Sequence, residues 1–137
     1  MMIFNMEKRK KTYLLMILSV VWAILIFVLC TIPPSEIPKI KIPYLDKAAH
    51  FGVFFVLSVL LSLMLYLKTR KKYFQIIIFS TLLAFIYGGF IEILQSKFFN
   101  RSGDFYDLIA DVLGGFSGGL IYPVILRFFK TNVRNNT

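Results

Sequence analysis

Cysteine, histidine and tryptophan each occur once in these 137 residues, and only seven residues are acidic. A lone cysteine, Cys30, excludes an intrachain disulfide and a cysteine-built metal cage. It closes the first apolar run, but Leu29 before it is not the small residue of a lipoprotein signal. No A-x-A-like cleavage pattern is present either, so the run reads as a retained anchor and Cys30 as an inert interfacial thiol. The chain also lacks a Gly/Ser linker, a low-complexity tract and an internal repeat, which leaves one domain over 1–137. It has no Ser/His/Asp arrangement, no H-E-x-x-H and no phosphate loop, so no enzyme class can be read from a motif.

What is present is apolar. Hydrophobic residues make up 58% of the chain and charged residues 17%, against roughly 45–50% and roughly 25% in soluble domains. The net charge of +9 could suggest nucleic acid, but the basic residues sit between apolar runs. There they set topology and meet anionic lipid headgroups, so no nucleic-acid partner is expected and membrane lipid is.

A membrane span needs about 20 mostly apolar residues. Four segments qualify, at about 12–30, 48–67, 73–95 and 107–129. Runs this long must pair their backbone internally in lipid, which selects helices. The expected fold is an all-α membrane protein, a bundle of four transmembrane helices. Pro123 should kink the fourth or stop it early. Eleven of the sixteen Lys and Arg flank the spans on the side of the termini, and five lie on the other side. By the positive-inside rule the bundle is N-in/C-in, a multi-pass protein of the cell membrane. The segment "IPPSEIPKIKIPY" should then lie extended across the outer mouth of the bundle.

That orientation gathers the scarce polar groups at one level. Of the acids only Glu7 falls on the cytoplasmic side, while Glu36, Asp46, Glu92, Asp104, Asp107, Asp111 and the single His50 fall at the outer end. Asp46 and His50, four apart, share a helix face, as do Glu92 and Gln95, three apart. Asp104, Asp107 and Asp111 run on through Gly114 and Gly118, an acidic stripe that becomes a glycine stripe. Ala84, Gly88 and Glu92 form a similar stripe on the third helix. Small-xxx-small patterns allow close helix approach, so helices three and four should pack through these stripes and bring Glu92 near Asp111.

Several of these charges have ordinary explanations. Asp104 and Asp107 suit the capping of helix four. Asp46 and Lys47 suit a membrane interface, and His50 could be a satisfied interfacial histidine. The fifteen phenylalanines suit lipid contact and core packing. Glu92 and Asp111 fit such roles less well, because an Asp at a span centre costs about 2.5–3.5 kcal/mol on insertion. Intramembrane carboxylates of this kind mark functional sites.

The stretches "DKAAHFGVFFVLSVLL" at 46–61, "YGGFIEILQ" at 87–95 and "RSGDFYDLIADVLGGFSGGL" at 101–120 together resemble the VanZ-like membrane proteins over about 44–120. The resemblance rests on Asp46, Lys47, His50, Phe51, Glu92, Gln95, Arg101, Asp104, Asp107, Asp111 and Gly114. Asp111 departs from it, since the pattern resembled has Asn there in many members. The resemblance implies a bacterial envelope protein, of a family whose namesake is associated with resistance to teicoplanin-type lipoglycopeptides.

Three functions remain open on this reading. The first is an outward polar pocket that binds a lipid-linked or glycan headgroup, whether an envelope precursor or a lipoglycopeptide. Asp46, Lys47, His50, Glu92, Gln95, Arg101, Asp104, Asp107 and Asp111 would be its ligand-binding residues, with Lys47 and Arg101 turned to a phosphate or carboxylate. The second is an intramembrane enzyme with His50, Glu92 and Asp111 as candidate catalytic residues. There Asp46, His50, Glu92, Asp107 and Asp111 could hold a divalent cation or divide acid and base roles. The third, a transporter or assembly subunit, is disfavoured because the acids sit at one end and form no relay across the membrane.

Overall fold

The computed structural model describes residues 2–32, 43–69, 71–98 and 104–134, with side chains from Met6 in the first helix to Arg127 in the last. Its elements are α1 (Met2–Thr31), α2 (Leu45–Lys68), α3 (Tyr73–Phe98) and α4 (Phe105–Arg134), and the described residues include no strand. Each helix contains a segment long and apolar enough to cross a membrane: Met6–Thr31, Leu45–Lys68, Tyr73–Phe98 and Phe105–Arg127. The all-α, four-span architecture is therefore the one expected from the apolar runs. The Pro-rich segment at 33–42 and Arg101 lie outside the described residues.

The helices overrun their apolar stretches. In α1 the turn holding Lys8 to Lys11 is helical, because Lys, Arg, Met and Glu are good helix formers outside the hydrocarbon. Nor does Pro123 stop α4, which continues to Arg134. A proline inside a helix disturbs the carbonyls of the preceding turn. One carbonyl of that turn, Leu120 C=O, accepts a hydrogen bond from the Tyr73 hydroxyl at 3.1 Å. The carbonyl that loses its N–H partner to Pro123 is that of Gly119, one residue before.

The most extensive pairing is α2 on α4, followed by α3 on α4. Adjacent glycine pairs set both, but not through a single stripe. A Cβ on Gly114 or Gly118 would collide with main-chain atoms of α2 around Phe51 and Phe55, so these two face α2. Gly115 and Gly119 face α3, against Ala84 and Ser80. The expected α3–α4 contact through Gly114 and Gly118 is thus corrected. Neighbouring positions point about 100° apart on a helix, so each glycine pair serves a different partner.

Helix α1 is peripheral and is fastened by side chains that reach backbone carbonyls. Trp22 Nε1 donates to Val53 C=O at 2.8 Å, and the Tyr87 hydroxyl donates to Ala23 C=O at 2.6 Å. Below the polar end, Ile26, Phe54, Leu57, Ala84 and Ile91 form the apolar core.

Candidate functional site

The first turns of α2 and α4 and the last turns of α3 meet at one end of the bundle, where they build a polar cluster. Asp104 precedes the first residue of α4 and acts as its cap: Tyr106 N–H donates to Asp104 Oδ1 at 2.9 Å. The capping role expected for Asp104 is therefore present. Its own N–H donates to Glu92 Oε2 at 2.8 Å, so a carboxylate of α3 holds the start of α4. This is one of the donors a helix start leaves unpaired.

Lys47 ties the acids of the rim together. Its ammonium lies 2.7 Å from Asp104 Oδ2, 3.0 Å from Asp107 Oδ1 and 3.2 Å from Asp46 Oδ2. The Asp104 carboxyl, outside the spans, is held below its ordinary range first by the Lys47 hydrogen bond and then by the Tyr106 N–H. Asp46 shares a helix face with His50, but it pairs with its neighbour Lys47 instead. With three carboxylates around it, the Lys47 ammonium has its three donors engaged within the cluster.

Deeper in the bundle, His50 Nδ1 lies 3.0 Å from Asp111 Oδ1. Asp111 is fully buried, and His50, Glu92 and Asp107 are each more than nine-tenths buried. Gly88 makes room for Asp111: a Cβ at residue 88 would stand 2.5 Å from Asp111 Oδ2 and 3.0 Å from its Cβ. One turn along the same face of α3 is Glu92. His50, Glu92 and Asp107 each offer a ligand atom, and these atoms all lie within 4.8 Å of one another. Two oxygens in the cluster, Glu92 Oε1 and Asp111 Oδ2, are buried with no hydrogen-bond partner among the described residues.

The structure therefore brings together Asp46, Lys47, His50, Glu92, Asp104, Asp107 and Asp111, while Arg101 lies outside the described residues. Gln95 is committed elsewhere. Its Nε2 donates to Cys30 C=O at 2.8 Å, pairing a carbonyl in the last turn of α1 that helix geometry leaves free. Ser58 is a residue that sequence reasoning did not place: its hydroxyl donates to Gly115 C=O and locks α2 to α4 just below the cluster. Its spacing from His50, eight residues or about two turns, puts it on the same face and was the available signal.

Chemically the cluster is rich in acceptors. Five carboxylates face one lysine and one histidine among the described residues. Moving an ion from water into such surroundings costs several kcal/mol unless it is paired. The unpaired oxygens thus call for a proton, a cation or a hydrogen-bond donor.

A family model described as VanZ/LLP1 matches residues 2–127, a span that takes in α1 as well as the motifs at 46–120. No curated protein and no solved structure matches the chain.

Proposed function

The chain belongs to the VanZ/LLP1 family, and from that premise we propose that it is a cell-envelope protein whose polar cluster binds the headgroup of an envelope lipid or lipid-linked glycan. The observation that carries this reading is the pair of buried oxygens, Glu92 Oε1 and Asp111 Oδ2, that have no hydrogen-bond partner among the described residues. With Lys47 already saturated by carboxylates, the cluster presents acceptors, so the matching headgroup is a donor: sugar hydroxyls or an amine. Charge-assisted hydrogen bonds to such donors are stronger than neutral ones. The apolar tail would remain among the lipid-facing helices. The uneven distribution of Lys and Arg supports an N-in/C-in orientation and an extracytoplasmic cluster. A glycan carrying an acyl chain is also the chemistry of a teicoplanin-type lipoglycopeptide, so a contribution to resistance belongs to the same proposal.

Lipid analysis of the purified protein tests it. Wild type should retain a glycolipid or aminolipid that Glu92→Gln loses. Identical lipid complements in the two would overturn the reading.

A second reading, acid–base catalysis on an envelope lipid, draws on one feature. Asp111 orients His50 while Glu92 keeps a free oxygen, which is the arrangement of a base with its orienter beside a separate acid.

A further inference from the structure

We propose that His50, Glu92 and Asp107 form a binding site for a divalent transition-metal ion, with Asp111 as the positioning residue that orients the imidazole. The proposal does not depend on headgroup recognition, because the ion and a lipid can be tested separately.

Among the described residues, two groups of side chains in the cluster have the spacing for a metal ion: His50, Glu92 and Asp107, and Asp46, Asp104 and Asp107. The second already surrounds a cation, since the Lys47 ammonium contacts all three of its carboxylates. The first is different. Among the described residues no lysine or arginine pairs with Glu92 or Asp111. Glu92, which shares this group with His50 and Asp107, has its Oε1 buried without a hydrogen-bond partner among the described residues.

The donor geometry fits an ion. Three nitrogen and oxygen ligands spaced evenly around one metal at about 2.0–2.2 Å lie about 3.3–3.8 Å apart. A separation within 4.8 Å therefore closes with side-chain shifts of less than about 1 Å. Asp107 uses Oδ1 for Lys47, and its carboxylate has a second oxygen for a metal. His50 directs Nδ1 to Asp111 Oδ1 at 3.0 Å. Metal-bound histidines commonly donate their other ring N–H to a carboxylate in this way, which fixes the tautomer and aims the remaining nitrogen. One imidazole with two carboxylates favours manganese, zinc or ferrous iron over calcium or magnesium, which prefer oxygen alone. Three protein ligands leave coordination positions for water or for oxygens of a bound molecule. At the rim of the cluster the Asp46 side chain is half exposed and that of Asp104 one-third exposed.

The test uses tag-free, full-length protein in detergent, stripped with chelator and titrated with Mn2+ alone under electron paramagnetic resonance. We expect one saturable Mn2+ per chain, with pulsed spectra showing coupling to a histidine nitrogen. Because His50 is the only histidine, that signal has one source. His50→Gln should abolish the coupling, Glu92→Gln should weaken binding at least tenfold, and Glu7→Gln, at the far end of the bundle, should change neither. Absence of saturable binding would overturn the site and leave protons to neutralise the acids. Saturable binding without nitrogen coupling would equally overturn it, and this wild-type readout decides even where a variant fails to fold.

Discussion

Asp111 Oδ1 lies 3.0 Å from His50 Nδ1 while Asp111 Oδ2, on the other side of the same carboxylate, rests against Gly88 with no partner. One fully buried carboxylate thus joins α2 to α4 and fills the space left by a missing side chain on α3. Asp111→Ala should leave the buried imidazole without its partner, at about 1–3 kcal/mol. Asp111→Asn keeps an oxygen at the same place and should lose less. Thermal unfolding in detergent, followed by emission of the single Trp22, ranks the two. Equal stability of both variants and wild type would show that the contact contributes nothing.

Gly88 and Asp111 should also be energetically coupled. A methyl group at residue 88 would overlap the Asp111 carboxyl, and overpacking of this kind costs about 1–3 kcal/mol. In an Asp111→Ala background the obstacle is gone, so Gly88→Ala should then be nearly neutral. A double-mutant cycle measures the difference, and simple additivity would contradict the packing described. Gly52→Ala is the control, since nothing lies within 4 Å of the place its methyl group would take.

The titration of Asp104 follows from its partners. Its folded pKa is depressed below the ordinary 3.8, first by Lys47 and then by the Tyr106 N–H. A depressed carboxylate contributes stability above its unfolded pKa and loses it as pH falls through the folded value. The Lys47–Asp104 contact should therefore persist at pH 4 and fail only in the acid range below. Carbon-detected NMR of labelled aspartate should show the Asp104 midpoint under 3.8 in wild type and higher in Lys47→Gln. An unchanged midpoint would mean that Lys47 does not set it.

Helix number and the polar end were legible because both are local properties. Apolar length depends only on neighbouring residues, and the alternating direction of successive spans places Asp46, His50, Glu92 and Asp107 at one level without any knowledge of packing. Which helix meets which face is not local. Gly114 and Gly115 differ by one position yet face α2 and α3, and their doublet was a sign of two neighbours rather than one. Gln95 shares its face with Glu92, but its partner is a carbonyl 65 residues away on α1, which no spacing rule reaches. Lys47 reads as one cation among several until three carboxylates from two helices converge on it. Proline rules for an isolated helix predict that Pro123 kinks α4 or stops it early, whereas here the helix packs against neighbours and continues to Arg134.

Orientation can be checked at the two ends of α2. Tyr44, 76% exposed, lies just before its first turn, and Lys71 lies beyond its last. In a Cys30→Ser background, Tyr44→Cys should react with an impermeant thiol reagent on intact cells. Lys71→Cys should react only after permeabilisation. The reverse pattern would invert the bundle and place the cluster in the cytoplasm.

Glu92 separates a functional cluster from a structural one, because its two oxygens do different things. Oε2 accepts the Asp104 N–H and secures the start of α4, while Oε1 is buried with no donor among the described residues. Glu92→Leu removes both, and loss of the cap acceptor alone should cost about 0.5–2 kcal/mol. Glu92→Gln can still accept from Asp104 through its amide oxygen, and a neutral side chain enters the membrane more easily than a charged one. Its accumulation in the membrane should therefore match wild type, while headgroup retention and any protection against a lipoglycopeptide are lost. Abundance on immunoblots and antibiotic susceptibility, measured on the same strains, give the two readouts. If Glu92→Gln instead lowers abundance while the remaining protein keeps full specific activity, the charge serves the scaffold. The unpaired Oε1 would then be a by-product of capping α4 rather than the group a ligand meets.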